Sequence, residues 1–170
     1  DVLGSRGLGD VYKRQVYGAA FDNNFRVKHI GIDNVVDLNK LRGSKYVQSN
    51  TENTYTEVKN DLENNKKVLY SGTACQIAGL KNFLGKDYEN LLTIDIVCHG
   101  VPSQKIFIKY KEYIEKKYNG KVQEFYFRNK EKKGWGLNLK IKLDNGKIIR
   151  RFAYVDPYYK AFINGDTYRE

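Results

Sequence analysis

Two segments of the chain share one pattern, an apolar run that leads into a small-residue loop carrying a cysteine. The segments are 68–76 (VLYSGTACQ) and 92–102 (LTIDIVCHGVP), and Cys75 and Cys98 are the only two cysteines of the sequence. Each apolar run predicts a buried strand. Open α/β sheets bind ligands at the carboxyl ends of their strands, where loops present backbone N–H groups and helix N-termini. The pattern therefore predicts a cofactor or redox site rather than a disulfide.

The size and composition of the chain are those of a globular protein. With 170 residues and 41% hydrophobic content, it is long enough to form a core without disulfides or metal ions. The sequence has no run of 18 apolar residues and no apolar signal core near its beginning, so nothing in it indicates a membrane span or secretion. Two cysteines do not form the disulfide framework of a small secreted domain. We therefore expect a cytoplasmic protein without a membrane span.

Regular periodicity begins at Val16 and predicts an α/β (α+β) fold, a mixed sheet with flanking helices and an antiparallel hairpin segment toward the C-terminus. A hairpin is predicted around the turn at 22–24. One predicted helix places Val35, Leu38 and Leu41 on one face, and Pro102 is expected in the first turn of another. Further helices are predicted to begin near residues 53, 76 and 157, and alternating strands cover 122–128, 137–143 and 147–154.

The first fifteen residues do not share this periodicity. Residues 1–15 (DVLGSRGLGDVYKRQ) resemble translated adapter sequence at the ends of open reading frames in metagenome assemblies. We expect them to be non-native or disordered and exclude them from the fold. Residues 16–170 are predicted to form a single α/β domain.

Positive charge is concentrated in one third of the chain. Residues 101–155 hold 15 Lys and Arg against 5 Asp and Glu, a net charge of +10. The net charge of the whole sequence is also +10, so the rest of the chain is balanced. Such a segment attracts phosphates, polyanionic cofactors, an acidic partner or nucleic acid, or it forms a solvated lysine-rich surface. The tyrosines between the lysines recur at helical spacing, and an amphipathic helix explains them without nucleic acid. We therefore predict no nucleic-acid partner.

The two cysteines admit several kinds of chemistry. A thiolate serves as a nucleophile, a redox group or a ligand of iron or zinc, whereas a cysteine beside Gly and Ala is also typical of a small buried apolar residue. Cys98 is followed by His99, a pair typical of metal or nucleophilic sites. The spacing of Cys75, Cys98 and the distant His29 does not fit a zinc finger. A cysteine-nucleophile enzyme using Cys98 and His99, and a non-catalytic basic binding module, therefore stay open alternatives.

Three ordered motifs make the sequence similar to a known family. They are residues 42–49 (RGSKYVQS), 71–80 (SGTACQIAGL) and 95–103 (DIVCHGVPS). In these motifs the chain resembles the beta subunits of coenzyme F-420 (deazaflavin) hydrogenases and dehydrogenases. The resemblance implies a flavin- and iron-sulfur-dependent oxidoreductase. Its expected reaction is an electron relay from ferredoxin or a similar donor, through a cluster and FAD, to a deazaflavin-like or other two-electron acceptor.

The resemblance also assigns expected roles to matching positions. The expected flavin-contacting loop contains Arg42, Ser44, Lys45 and Gln48, and the expected cofactor turn contains Gly72, Thr73 and Gln76. Cys75 and Cys98 are expected to bind a 4Fe-4S cluster. Such a cluster normally takes four cysteines, so the remaining ligands are expected outside this sequence, as in a partial copy of the family's catalytic domain that is inactive alone. The implied partners are ferredoxin or a hydrogenase-type electron-transfer protein, and a small-molecule acceptor.

Two further residues have alternative interpretations. Trp135 lies between glycines at the start of a predicted strand, where its indole stacks on a flavin or packs in the core, and we favour the core. Asp95 lies in the predicted strand before Cys98, where it orients a neighbouring group or, as is more common, accepts a hydrogen bond from a backbone donor.

Overall fold

A computed structural model describes residues 14–130 and 137–166 of the chain. The chain divides into two compact units. The cysteine unit comprises residues 14–42 and Ser49–Cys98, and the basic unit comprises Gly43–Gln48 and residues 99–130 and 137–166.

The cysteine unit is built on a four-stranded mixed sheet in the order β2-β1-β3-β4. Its strands are β1 (Arg14–Phe21), β2 (Val27–Ile32), β3 (Lys67–Thr73) and β4 (Leu91–Ile96). Strand β1 pairs antiparallel with β2 and parallel with β3, and β3 pairs parallel with β4. The carboxylate of Asp22 accepts hydrogen bonds from the backbone N–H groups of Asn24 and Arg26, which holds the predicted hairpin turn.

Helices flank this sheet on both faces. They are α1 (Leu38–Leu41), α2 (Thr54–Glu63) and α3 (Ala74–Leu84). Leu41 of α1 lies on the Gly18 side of β1, whereas α2 and α3 lie on the opposite side with Tyr17. Apolar residues at helical spacing on α2 and α3 pack against alternate residues of β1 and β3, as the periodicity predicts. The resulting core consists of Tyr17, Val58, Leu62, Val68, Tyr70, Ile77, Leu80 and Leu84.

In its described residues, the basic unit combines two α-helices with a three-stranded antiparallel sheet in the order β5-β6-β7. Its elements are α4 (Gln104–Tyr118), β5 (Val122–Tyr126), β6 (Asn138–Leu143), β7 (Ile148–Phe152), a 3-10 helix (Ala153–Val155) and α5 (Pro157–Asn164). Its core is rich in aromatic rings, among them Phe107, Phe127, Tyr158 and Phe162. The predicted fold class, with a mixed sheet, flanking helices and an antiparallel segment toward the C-terminus, is confirmed.

Two helix predictions differ from the structure. Helix α1 has only four residues, and Val35, which we predicted on its inward face, is 80% exposed. The amide of Asn34 bonds to the carboxylates of Asp33 and Asp37, and its oxygen accepts from the Asp37 N–H. Such local side-chain bonds compete with helical hydrogen bonds, which explains the late start of α1. Pro102 precedes the N-cap Ser103 rather than lying in the first turn of α4.

The prediction that both apolar runs form buried strands is right for β3 and wrong for β4. Strand β3 alternates buried with half-buried residues, whereas β4 lies at the edge of the sheet with most of its side chains exposed. An apolar run without alternation is typical of a strand covered on both faces. Within residues 14–130 and 137–166, β4 lacks that cover.

Some predictions lie outside what the structure tests. Trp135 lies outside the described residues, as do residues 1–13 of the segment that we excluded, and β1 begins at Arg14, two residues before the predicted start. The single-domain interpretation of residues 16–170 stays a prediction. Among the described residues, no helix combines the length and apolarity that a membrane crossing requires.

Candidate functional site

Both cysteines follow neighbouring parallel strands at the same edge of the sheet. Thr73, the last residue of β3, pairs in register with Ile96, the last residue of β4. Cys75 lies two residues beyond Thr73 and Cys98 two residues beyond Ile96, and both side chains are exposed and outside any disulfide. The register therefore brings the two sulfur-bearing positions to one carboxyl edge, as the sequence predicts.

Cys75 is held by the first turn of α3. Thr73 is the N-cap of this helix, and its backbone N–H and hydroxyl both donate to the side-chain oxygen of Gln76, at 3.1 and 3.2 Å. The Thr73 hydroxyl oxygen also lies 3.1 Å from the Cys75 sulfur. Reciprocal capping fixes the entry of the chain into the helix. The turn therefore holds the Cys75 sulfur beside a hydroxyl, at the exposed start of α3.

Gln76 connects this turn to the end of the 42–49 motif. Its amide nitrogen donates to the backbone carbonyl of Ser49 at 3.2 Å. The following residue, Asn50, is anchored beside β2 by backbone hydrogen bonds to Val27 and His29. Two of the three sequence motifs therefore meet in the cysteine unit. The hydrogen bonds of Thr73 and Gln76 give both a structural role, while their role as cofactor contacts stays a prediction.

The sequence did not identify His29 as part of this site. Its ring is 3% exposed, stacks on Tyr70, and lies 3.0 Å from the Ser71 carbonyl through Nε2 and 2.7 Å from the Ser49 hydroxyl through Nδ1. A carbonyl only accepts, so Nε2 carries the proton and Nδ1 accepts from Ser49. Burial lowers the pKa of His29, and the bond to Ser71 opposes that shift only in part. The only sequence signal was a polar residue at an inward position of β2.

The remaining residues of the predicted flavin loop show different environments. Arg42 caps the C-terminus of α1 in the cysteine unit, where its side chain is exposed. Ser44, Lys45 and Gln48 belong to the basic unit, in which the Gln48 N–H donates to the Pro102 carbonyl. Lys45 is half-buried, its ammonium donates to the Gly43 carbonyl at 3.2 Å, and burial lowers its pKa to about 8. A partly desolvated ammonium of this kind is suited to an anionic ligand.

His99, the histidine next to Cys98, makes contacts in the basic unit. Its Nε2 donates to the Ile163 carbonyl at 3.2 Å, and its ring packs edge-on against Phe162. This bond leaves Nδ1 as the acceptor nitrogen of the neutral ring.

The ligand set for a metal is incomplete in the part of the chain that is described. Within residues 14–130 and 137–166, no group of three or more His, Cys, Asp and Glu side chains is placed to hold a metal ion. Thiolates suit iron-sulfur clusters chemically, and a cubane cluster takes four of them. Cys75 and Cys98 therefore fit a cluster only as part of its ligand set.

A pocket of the cysteine unit lies away from these residues. Its lining residues are Gln15, Tyr17, Gly31, Glu57, Asn60 and Asp61. None of them belongs to the predicted site, and the Tyr17 hydroxyl donates to Asp61 at 2.8 Å. This hollow gives no support to the predicted cofactor contacts.

Comparisons with known proteins agree with the motifs. Residues 65–156, just over half of the chain, match the family described as the C terminus of the coenzyme F420 hydrogenase/dehydrogenase beta subunit. A chain from the xenon-derivatised F420-reducing [NiFe] hydrogenase complex of Methanosarcina barkeri matches with a TM-score of 0.48 and 17% identity, over 85% of this chain and 49% of that one. The present chain thus spans about half the length of that relative, and no curated protein matches it. The chain belongs to the coenzyme F420 hydrogenase/dehydrogenase beta-subunit family.

Proposed function

We propose that this chain is part of a flavin- and iron-sulfur-dependent oxidoreductase that relays electrons from ferredoxin, or a similar donor, to a deazaflavin-like or other two-electron acceptor. The observation that supports it most directly is the shared carboxyl edge of β3 and β4, where Cys75 and Cys98 are both exposed. The proposal includes a hydrogenase-type or ferredoxin partner and a cytoplasmic location.

Each described residue has a defined task in this proposal. The thiolates of Cys75 and Cys98 bind iron, with the remaining ligands coming from outside the 170 residues, and the Thr73 hydroxyl stays beside the Cys75 sulfur. In the basic unit, the Lys45 ammonium attracts the pyrophosphate of FAD, and Ser44 and Gln48 are further proposed flavin contacts. In the cysteine unit, Arg42 and the turn of Gly72, Thr73 and Gln76 are the proposed cofactor contacts. When bound, the cluster supplies one-electron transfer, and FAD supplies the conversion of two electrons and a proton into a hydride.

The metal part of the proposal is tested by anaerobic reconstitution. The full chain is incubated with ferrous iron, sulfide and glutathione, which provides the thiolates that the chain lacks. We expect bound iron and sulfide with visible thiolate-to-iron absorption, lost in Cys75→Ser and in Cys98→Ser. Lys81→Ala, at an exposed position of α3, is the control and keeps wild-type uptake. Equal uptake by the serine variants contradicts the proposal. Selective alkylation by iodoacetamide without any iron uptake also contradicts it and favours the cysteine-nucleophile alternative.

The flavin part is tested by titration with FAD, followed by fluorescence. We expect the affinity of the wild-type chain to fall as the pH rises through about 8, because only protonated Lys45 attracts the pyrophosphate. Lys45→Gln should lose this pH dependence and about tenfold in affinity. Lys40→Gln, an exposed lysine paired with Asp37, is the matched control. Equal affinity of both variants and the wild type would show that Lys45 does not contact the cofactor.

A further inference from the structure

Strand β4 combines a free edge with an exposed apolar face. Leu92, Ile94 and Ile96 point to one face of the sheet and are 59, 44 and 52% exposed. Among the strands of the described residues, β4 pairs only with β3, so the backbone groups along its outer side face away from the sheet. Edge strands with exposed apolar side chains are templates for pairing with another chain.

Apart from the single charge of Asp95, β4 lacks the lysine, proline and bulge that usually protect an edge strand. Its sequence, LLTIDI, contains no lysine and no proline, and its register with β3 runs without a bulge over six residue pairs. The opposite edge strand, β2, differs because it carries Lys28 and forms a bridge with Asn50. Regular, nearly uncharged β4 is therefore the more available of the two edges.

The sequence of β4 is complementary to itself in one antiparallel register. A two-fold axis perpendicular to the sheet keeps each side chain on its own face, so opposite residues must both be even-numbered or both odd-numbered. With the axis at Ile94, Leu92 lies opposite Ile96, and Thr93 opposite Asp95. The three exposed apolar residues, Leu92, Ile94 and Ile96, then all lie opposite apolar residues of the other copy, and no carboxylate lies opposite another carboxylate. Moving the axis to Asp95 would place two carboxylates opposite each other, which is destabilising.

The charge distribution also favours contact between two copies at this edge. The described residues of the cysteine unit contain ten Lys and Arg and ten Asp and Glu, so this unit has no net charge. The basic unit carries the excess of positive charge of the described residues. Surfaces near zero net charge associate more readily than surfaces of one sign.

We propose that β4 is a dimerisation strand. Two copies of this chain join edge to edge, with their β4 strands antiparallel about a two-fold axis at Ile94, and form one continuous eight-stranded sheet. The interface is isologous because each copy contributes the same strand. It is small, and we expect dimerisation at roughly 10 to 100 µM. This proposal does not depend on the proposed redox function.

Sedimentation velocity of the full chain over a concentration series tests the interface. We expect the wild-type chain to change from monomer to dimer and Ile94→Lys to stay monomeric, because a lysine at the axis places two ammonium groups opposite each other. Val36→Lys changes a residue that is 84% exposed in the cysteine unit but outside β4. It is the control and should dimerise like the wild type. A wild-type monomer at every concentration, or unchanged dimerisation of Ile94→Lys, overturns the proposal.

Cross-linking tests the register and does not depend on the stability of the lysine variant. In a Cys75→Ser, Cys98→Ser background, diamide oxidises pairs of thiols and is itself reduced to the hydrazine. Ile94→Cys should give a covalent dimer of twice the 19.7 kDa chain mass, because the two introduced thiols face each other across the axis. Leu92→Cys alone should give no covalent dimer, because Leu92 lies opposite Ile96 of the other copy. Leu92→Cys combined with Ile96→Cys should give a covalent dimer. Efficient cross-linking of Leu92→Cys alone would overturn the proposed register.

Discussion

At the scale of single residues, His29 links the motifs of the candidate site to the core. Its two ring nitrogens bond to Ser49 and Ser71, so one imidazole ties the end of the 42–49 motif to strand β3. Its ring is also stacked on Tyr70, with 5.2 Å between the centroids. In the neutral ring Nε2 donates to the Ser71 carbonyl and Nδ1 accepts from the Ser49 hydroxyl, and burial disfavours the charged ring.

This arrangement predicts that the protein loses stability as the pH falls below about 6.5. Burial lowers the pKa of His29 in the folded state, so the unfolded chain takes up the proton first, and each pKa unit of difference is worth about 1.4 kcal/mol. Urea unfolding between pH 7 and 5 should show a falling free energy of unfolding, above the range in which carboxylates titrate. The His29→Phe variant should be less stable than the wild type at pH 7, but its free energy of unfolding should change less between pH 7 and 5.

His99→Gln is the matched control, since it removes the other histidine, which is exposed. The fall in stability should persist in this variant. A His29→Phe variant with the full wild-type fall between pH 7 and 5 would refute the assignment to His29.

At the scale of elements, Asp156 joins three parts of the basic unit. Its side chain, in a residue 1% exposed, accepts from the N–H of Tyr159 as the N-cap of α5, from the Tyr110 hydroxyl of α4 and from Arg151 of β7. Burial first, and the nearby Asp156 carboxylate second, raise the pKa of Tyr110. A hydrogen-bonded carboxylate of this kind holds helix and strand in one arrangement.

We therefore expect Asp156→Ala to cost about 3 to 5 kcal/mol of the free energy of unfolding, because it leaves the guanidinium of Arg151 without this carboxylate in a half-buried position. Asp156→Asn keeps an acceptor for the Tyr159 N–H and should recover about 1 kcal/mol of that loss. Urea unfolding of both variants measures the difference. Equal stability of the alanine variant and the wild type would contradict this role.

A second contact between elements joins α2 to α3. The Tyr55 hydroxyl of α2 donates to the Gln76 carbonyl at 2.8 Å, and a Cβ added at Gly79 of α3 would lie 3.1 Å from this hydroxyl oxygen. Alanine in a helix is favoured over glycine by about 1 kcal/mol. This gain is lost if Tyr55 must move, because its hydrogen bond and its packing on the core are then disturbed.

The sign of the effect of Gly79→Ala should therefore depend on Tyr55. In the wild-type background we expect Gly79→Ala to destabilise the protein by about 1 kcal/mol. In a Tyr55→Phe background the hydroxyl is gone, the nearest ring carbon lies at an ordinary 3.5 Å, and the substitution should become neutral or stabilising. A double-mutant cycle by urea unfolding measures this coupling, and the same destabilisation in both backgrounds would exclude the close contact as its cause.

The elements that the sequence predicts correctly are those with local determinants. The hairpin turn at 22–24 and the helix that begins near residue 53 depend on residues a few positions apart. The exposure of β4 could not be predicted, because it depends on which strands come to lie beside it. For the candidate site, the two cysteine loops were predictable from their strands. The contacts of His29 with Ser49 and Ser71 join residues 20 and 42 positions away, and no local pattern shows them.

At the scale of the whole molecule, the distribution of charge separates the two units. The cysteine unit is balanced, whereas the basic unit carries 12 of the 19 lysines of the described residues. On α4, no acidic residue occupies the first turn, and Lys105 is exposed there, beside the positive end of the helix dipole. With a net charge of +10, like charges oppose the compact state at low ionic strength.

We therefore expect the wild-type chain to gain stability when NaCl is raised from about 10 mM to about 500 mM, because salt screens this repulsion. Lys105→Glu should stabilise the protein by about 1 kcal/mol at low salt, through the helix dipole and a new i,i+4 pair with Lys109, and the gain should shrink as salt is added. Lys59→Glu, on α2 of the balanced unit, is the control. It should give no gain, because the cysteine unit has no excess of positive charge and Glu63 lies one turn away. Thermal unfolding of the three proteins across the salt series measures these differences. An equal gain in stability from both substitutions would show that the stabilisation depends on the total charge of the chain and not on the concentration of positive charge in the basic unit.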